Sequence, residues 1–176
     1  MIRSGSHPAA PPPGLNHIAL RVADADRSRR FYEHAFGAVA GTRAIERSGE
    51  LVEALLDAPP GTIQRGCHMT LGGNGIELIE VVRPEVPLDQ GERMKRAVLH
   101  VCLQVDDVRA SARQVEEAGG RLLFPVREVG GRPVVYCADP DGHVLELIQM
   151  SFAEAVAGVL EVLPEAAPNS SENFQQ

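Results

Sequence analysis

The chain carries one pattern twice. Asn16-His17-Ile18-Ala19-Leu20 is followed by Ile76-Glu77-Leu78, and Leu99-His100-Val101-Cys102-Leu103 is followed by Leu145-Glu146-Leu147. With His17 set on His100, the halves share Leu20/Leu103, Val22/Val105, Asp24/Asp107, Ser28/Ser111, Arg30/Arg113, Glu33/Glu116, Ala35/Ala118 and Gly37/Gly120. Repetition over this length predicts a duplicated unit. Duplicated halves tend to pack about a pseudo-twofold axis, which lets the repeated polar residues of both halves converge. Two imidazoles and two carboxylates brought together make a metal site.

The order of elements within each half follows from periodicity and punctuation. From Leu15 to Val22, Ile18, Leu20 and Val22 alternate with His17, Ala19 and Arg21, so a strand there carries His17 on its less apolar face. Asp24 is placed to cap a helix running to about Phe36, which Gly37 ends. Strands are expected over 38–47, 62–71 and 75–82, the last two joined by Gly72-Gly73-Asn74. The second half replays this order: a strand over 97–105, a helix from Val108 to Ala118, then strands over 121–129, 133–138 and 143–150, with Asp139-Pro140-Asp141-Gly142 as a turn. Strand, helix and three strands, twice over, is an α+β chain of two tandem βαβββ modules.

The interval from His17 to Glu77 is 60 residues, against 46 from His100 to Glu146. Most of the difference falls on 50–58, a short helical pattern without a counterpart. It either caps one side of a cleft or lies on the surface, packing through Leu51, Leu55 and Leu56. The expected organisation is a flexible lead-in over 1–14, modules over 15–84 and 94–150 joined by a linker over 85–93, and a C-terminal helix with a disordered tail over 151–176.

Glu77 and Glu146 sit inside apolar runs, where a lone buried carboxylate is costly. A divalent cation compensates both while taking neutral imidazole nitrogens, which nominates His17, Glu77, His100 and Glu146 as ligands. Mixed nitrogen and oxygen ligation suits Zn, Ni, Fe, Co or Mn. The alternative is that each histidine is an ordinary cleft residue and each glutamate pairs with an arginine. Glu80 rivals Glu77, but it falls on the opposite strand face and its repeat partner is Gln149. His68, on the strand before Glu77, is a candidate cleft residue. Arg21 and Gln104, each four residues beyond a histidine on the same face, are candidates to contact substrate, as is Tyr136. Of the other histidines, His143 reads as a turn residue and His34 as exposed on its helix.

Composition narrows the function classes. A net charge of −7 and a pI near 5.4 give no electrostatic reason to bind nucleic acid or anionic lipid. No apolar run is long enough for a membrane span, and the N-terminus has no apolar signal stretch, so a cytoplasmic protein is expected. Cys67, Cys102 and Cys137 lack metal-type spacing and read as buried reduced thiols.

Asn16-His17-Ile18-Ala19-Leu20, the Arg27 to Gly37 stretch, Leu99-His100-Val101 and above all Asp139-Pro140-Asp141-Gly142-His143-Val144-Leu145-Glu146-Leu147 resemble the vicinal oxygen chelate superfamily, which includes glyoxalase I, methylmalonyl-CoA epimerase, extradiol dioxygenases, fosfomycin-modifying enzymes and bleomycin-binding proteins. The resemblance spans roughly residues 15–150. It implies a cupped mixed sheet around one divalent metal, ligated at His17, Glu77, His100 and Glu146, and a homodimer. It also implies a metal-dependent isomerase, epimerase or lyase that stabilises an enolate or enediolate of a small substrate with vicinal oxygens. In that chemistry Glu77 or Glu146 serves as base, or a free carboxylate such as Glu46 or Glu53 does so. The alternatives are an Fe(II) extradiol-type dioxygenase and a non-catalytic antibiotic-binding protein.

Overall fold

The computed structural model describes residues 15–89 and 98–162. The expected lead-in over 1–14, linker residues 90–93 and the tail beyond Val162 lie outside the described residues.

The first module runs β1 (His17–Val22), α1 (Ala25–Phe36), β2 (Val39–Ala40), β3 (Ile45–Ser48), α2 (Glu50–Leu56), β4 (Ile63–Leu71) and β5 (Asn74–Arg83). The second runs β6 (Val101–Gln104), α3 (Val108–Glu117), β7 (Arg121–Leu122), β8 (Arg127–Val129), β9 (Arg132–Ala138) and β10 (Val144–Ile148), followed by α4 (Phe152–Val162). The first sheet has the order β1-β5-β4-β2, with β3 also on β4; the second has β6-β10-β9-β7, with β8 on β9. Central strands are equivalent: β1 lies parallel to β5 as β6 does to β10, and each pairs antiparallel with the strand before it. The duplication is therefore structural, and the fold is α+β with two repeated modules.

The helices start where the sequence places them. Asp24 accepts from Arg27 N at 2.9 Å, and Asp107 accepts from Ala110 N at 2.9 Å. Each cap satisfies one of the donors left free at a helix start. Gly37, at φ 66°, closes α1: its N–H donates to Glu33 O at 3.0 Å, and the next N–H, of Ala38, donates to Tyr32 O at 3.1 Å.

Two expected long strands are each divided. Between β2 and β3, Gly41 N and Thr42 N both donate to His68 O, at 2.8 and 3.2 Å, so the chain pivots on one carbonyl. Between β7 and β8, Leu123 N reaches Tyr136 O at 2.9 Å and Pro125, with no N–H to give, interrupts the ladder.

Each sheet packs one face against the helix of its own module, α1 or α3, and turns the other face away from it. Ile18, Leu20 and Val22 of β1, Cys67 and Met69 of β4, and Ile76 and Leu78 of β5 join Phe31, Tyr32 and Ala35 of α1 in the core; Leu103, Val135, Cys137, Leu145 and Leu147 join Val108, Ala112 and Val115 of α3. Tyr32 and Phe31 are wholly buried, each worth about 1.5–3 kcal/mol of apolar transfer. The modules meet through α1 and α3. Cys102 is exposed, against the expectation of burial, because β6 turns it to the same face as Gln104 and away from α3.

A clasp joins the modules at the Asp139–Gly142 turn. Asp139 accepts from Tyr32 Oη at 3.0 Å and from the backbone N–H of Asp141 and His143 at 2.9 and 2.8 Å; His143 Nδ1 lies 2.9 Å from its carboxylate. Asp141 accepts from Ser28 Oγ at 2.6 Å, from Ala23 N at 3.0 Å and from Arg27. The motif that reads as a turn is thus also the contact that fixes one module on the other.

Candidate metal centre

Strand parity places His17, Ala19, Arg21 and Glu77 on the open face of the first sheet. The register sets Ala19 and His68 on either side of Glu77. His17 Nε2 and His68 Nε2 each lie 3.5 Å from the Glu77 carboxylate, one on each oxygen. In the second sheet, Cys102 and Tyr136 flank Glu146 in the same way. His100 Nε2, just before β6, lies 3.1 Å from Glu146, and its ring meets that of Tyr136 edge-on at 5.4 Å. His68 and Tyr136 are therefore repeat equivalents. Composition gives no sign of this, but the cross-strand pairing to each glutamate does.

The four nominated ligands form two pairs, one per sheet. Among the described residues no cluster of three or more His, Cys, Asp or Glu is disposed to hold a metal ion. Within each pair the donor set nevertheless fits a cation. Asn16 Oδ1, an acceptor, lies 2.8 Å from His17 Nδ1, so that nitrogen carries the hydrogen and Nε2 turns its lone pair towards the Glu77 carboxylate. Two acceptors facing each other need a proton or a cation between them. Separations of 3.1 to 3.5 Å fall within the about 2.8–3.6 Å between neighbouring octahedral to tetrahedral ligands held at about 2.0–2.2 Å from one metal.

The rival carboxylates have other work. Glu80 faces α1, where it accepts from Ala25 N at 3.0 Å and from Arg65 at 3.2 Å; Gln149 does the same in the second module, accepting from Val108 N at 3.0 Å. Glu53 accepts from Gly61 N at 2.7 Å and holds the turn after α2, while Glu46 is exposed on β3.

Of the other candidates, Gln104 and Tyr136 line the same cavity of about 1870 Å3 as His100, Cys102 and Glu146. Partial desolvation in the cleft, reinforced by the Glu146 carboxylate, pushes Tyr136 up to about 12 and Cys102, although the residue stays accessible to solvent, up to about 11. Both are neutral donors beside that carboxylate at physiological pH. Arg21 binds chain instead: its guanidinium donates to Val86 O and Pro87 O, and its buried Nε has no partner. His34 is exposed on α1, and His143 sits in the clasp.

Residues 14–147 match the model of the Glyoxalase/Bleomycin resistance protein/Dioxygenase superfamily. Among curated proteins, the chain is 24% identical over 151 residues to a lactoylglutathione lyase of Schizosaccharomyces pombe, covering 82% of this chain and 50% of that protein. It is 27% identical to the mitochondrial methylmalonyl-CoA epimerase of Bos taurus, covering 82% and 81% of the two chains. It is 26% identical to metallothiol transferase FosB of Shouchella clausii, covering 90% and 95%. The chain thus spans half the length of the first of these relatives and most of the other two. Among solved structures, a glyoxalase family protein from Bacillus cereus superposes with a TM-score of 0.67 at 16% identity, covering 81% of this chain and 97% of that one. The duplicated modules and the family match over residues 14–147 lead to one assignment: this chain belongs to the glyoxalase/bleomycin resistance protein/dioxygenase superfamily.

Proposed function

We propose that this protein is a divalent-metal-dependent enzyme that moves a proton on a small substrate with vicinal oxygens, as an isomerase, epimerase or lyase. The observation that carries the reading is the pair His17 and Glu77, where an imidazole committed at Nδ1 presents its Nε2 lone pair to a carboxylate. His100 and Glu146 repeat the pair at 3.1 Å in the second module. The names of the relatives, a lyase and an epimerase among them, agree with this class.

His17, Glu77, His100 and Glu146 would hold the metal. A bound divalent cation supplies Lewis acidity to paired substrate oxygens, which makes a neighbouring C–H acidic. Glu77 or Glu146 is then the base that takes the proton and returns it. Tyr136 and Cys102, neutral and next to Glu146, offer it hydrogen bonds and orient it. His68 holds the other oxygen of Glu77 and so limits its rotation. Since each sheet presents one pair, the four ligands meet when the open face of a first module lies over the open face of a second module from another copy of the chain.

Elemental analysis of protein purified without chelators, together with deuterium exchange at the α-carbon of candidate α-hydroxycarbonyl and thioester substrates, tests the reading. About one transition metal per chain is expected, lost in His17→Ala and in Glu146→Ala, with metal-dependent exchange abolished in Glu146→Gln. Protein that neither carries nor takes up metal, or that exchanges no substrate when loaded, overturns it.

A further inference from the structure

The repeat breaks just beyond the two glutamates. In both modules the residue two places further on shares the glutamate's open face, Ile79 after Glu77 and Ile148 after Glu146, about 6.6 Å along the strand. In the first module the chain itself fills that place. Ile79 is 6% exposed, and Arg21, opposite it in the register, is tied to Val86 O and Pro87 O. In the second module the place is open. Ile148 and its cross-strand partner Val134 are half-buried, Gln104 on the other side is exposed, and all three line the cavity that holds His100, Tyr136 and Glu146.

Helix α4 forms a further wall of this cavity, and it begins beyond residues 14–147, the stretch that the family model matches. Phe152, Ala155 and Gly158, three residues apart and so on one side of the helix, line the cavity. Phe152 is 85% exposed, and a methyl group built on Gly158 would meet nothing within 4 Å, so this side of α4 looks into open space. The open face of the second module thus runs from a polar end, with His100, Tyr136 and Glu146, to an apolar one, with Val134, Ile148 and Phe152.

Charge narrows what can lie there. Besides Glu146, the described residues of the cavity wall include five carboxylates, on Glu33, Asp106, Asp107, Glu154 and Glu161, against one arginine, Arg132, whose charge already acts on Glu154. A group bearing phosphates or several carboxylates would meet like charge in this cavity, whereas an uncharged one meets no such penalty.

We propose that the substrate carries an uncharged apolar arm, seated beyond Glu146 on Val134 and Ile148 and against Phe152 of α4, with its paired oxygens at His100 and Glu146. The inference rests on the metal-site reading above for the placement of those oxygens. It makes Phe152 and Ala155 specificity-determining residues that take no part in moving the proton.

The full chain, free of metal, is titrated with N-phenylnaphthylamine and with its sulfonated analogue, anilinonaphthalene sulfonate, two dyes of one apolar body that differ by an anionic group. The neutral dye should bind at about one per chain and about tenfold more tightly than the anionic one, a difference of about 1.4 kcal/mol. Phe152→Ala should weaken it by about two- to tenfold, and Ala155→Asp should weaken it too. Leu51→Ala, which trims an equally exposed side chain outside the cavity, should leave it unchanged, with the same circular dichroism in all variants. Protein loaded with Zn(II) should bind octanohydroxamic acid, whose paired oxygens carry an alkyl arm, more tightly than acetohydroxamic acid, by up to about fourfold for each CH2 that reaches the apolar strip. The longer compound should also displace the dye. Equal binding of the two dyes, binding that Phe152→Ala leaves unchanged, or hydroxamate affinity independent of chain length overturns the arm site. Dye binding with the expected responses but no uptake of Zn(II) sinks the metal reading alone, and Zn(II) uptake with equal affinity for the two hydroxamates sinks the arm alone.

Discussion

The Tyr32 hydroxyl of α1 donates to Asp139 of the second module at 3.0 Å, inside a contact where both residues are fully buried. The Asp139 carboxylate has three further partners, the N–H groups of Asp141 and His143 and the His143 imidazole, so the phenol adds the one that reaches across from the other module. Removing it leaves a buried carboxylate short of a partner. Tyr32→Phe should therefore cost about 1–3 kcal/mol, read as a lower urea midpoint at unchanged slope. An unchanged midpoint would mean that the clasp contributes nothing to holding the modules together.

The same phenol predicts an alkaline limit to stability. Burial, and then the negative charge of Asp139, raise the Tyr32 pKa well above its usual 10. A raised folded-state pKa means that the unfolded chain loses its proton first. The contribution is whole below about pH 10 and is lost as pH rises beyond it, at up to about 1.4 kcal/mol per pH unit. Thermal melts between pH 9 and 11 should fall more steeply for the wild type than for Tyr32→Phe, and parallel curves would contradict the assignment.

The contrast between Glu77 and Glu80 was partly legible in the sequence. Parity put them on opposite faces, and the repeat matched Glu80 with Gln149. The structure supplies the reason, since both cap the helix of their module through a side-chain oxygen. Gln149 shows that an amide oxygen suffices for that role. Glu80→Gln should thus keep metal content and activity, losing about 1 kcal/mol with the partly buried Arg65 pair, whereas Glu77→Gln should lose both. Equal losses would remove Glu77 from its proposed place.

Local signals were the readable ones. Asp24, Asp107 and Gly37 mark helix ends through hydrogen bonds made within a few residues, and the alternation around His17 and His100 gives strand faces directly. What depended on distant contacts was not readable. Nothing local reveals that Asp139 and Asp141 reach Tyr32 and Ser28 more than a hundred residues away. The division of strands 38–47 and 121–129 depends on the carbonyls of His68 and Tyr136, which belong to another strand. Of the surface packing through Leu51, Leu55 and Leu56 that was one reading of 50–58, Leu51 and Leu55 are exposed and Val52 is the buried residue, which turns on the face of α2 that packs inward. The repeat named the four candidate ligands but could not say whether one chain unites them, because that depends on how the two open faces are presented.

Gly75 offers a way to move His17 without changing any ligand. It lies opposite His17 in the β1–β5 register, and a methyl group built on it would come within 2.7 Å of His17 Cβ and 2.8 Å of Asn16 O. Real Cβ atoms do not approach so closely, and the obstruction is the base of the imidazole arm together with the backbone of the residue that orients its Nδ1. Gly75→Ala must therefore shift β1 at Asn16 and His17 by several tenths of an ångström. Such a shift breaks the alignment that a metal ligand needs, with losses of about 10–100-fold in affinity typical when the support of a ligating histidine is disturbed. Stability should fall by about 1–3 kcal/mol, the usual cost of an overpacked site. Gly37→Ala is the control: its φ of 66° carries a backbone cost of about 1 kcal/mol, but nothing lies within 4 Å of the new methyl group and His17 keeps its place. Titration of both variants with Zn(II) or Mn(II), beside their urea midpoints, should show both destabilised and Gly75→Ala alone with weakened binding. Equal affinity in the two would place the metal away from His17.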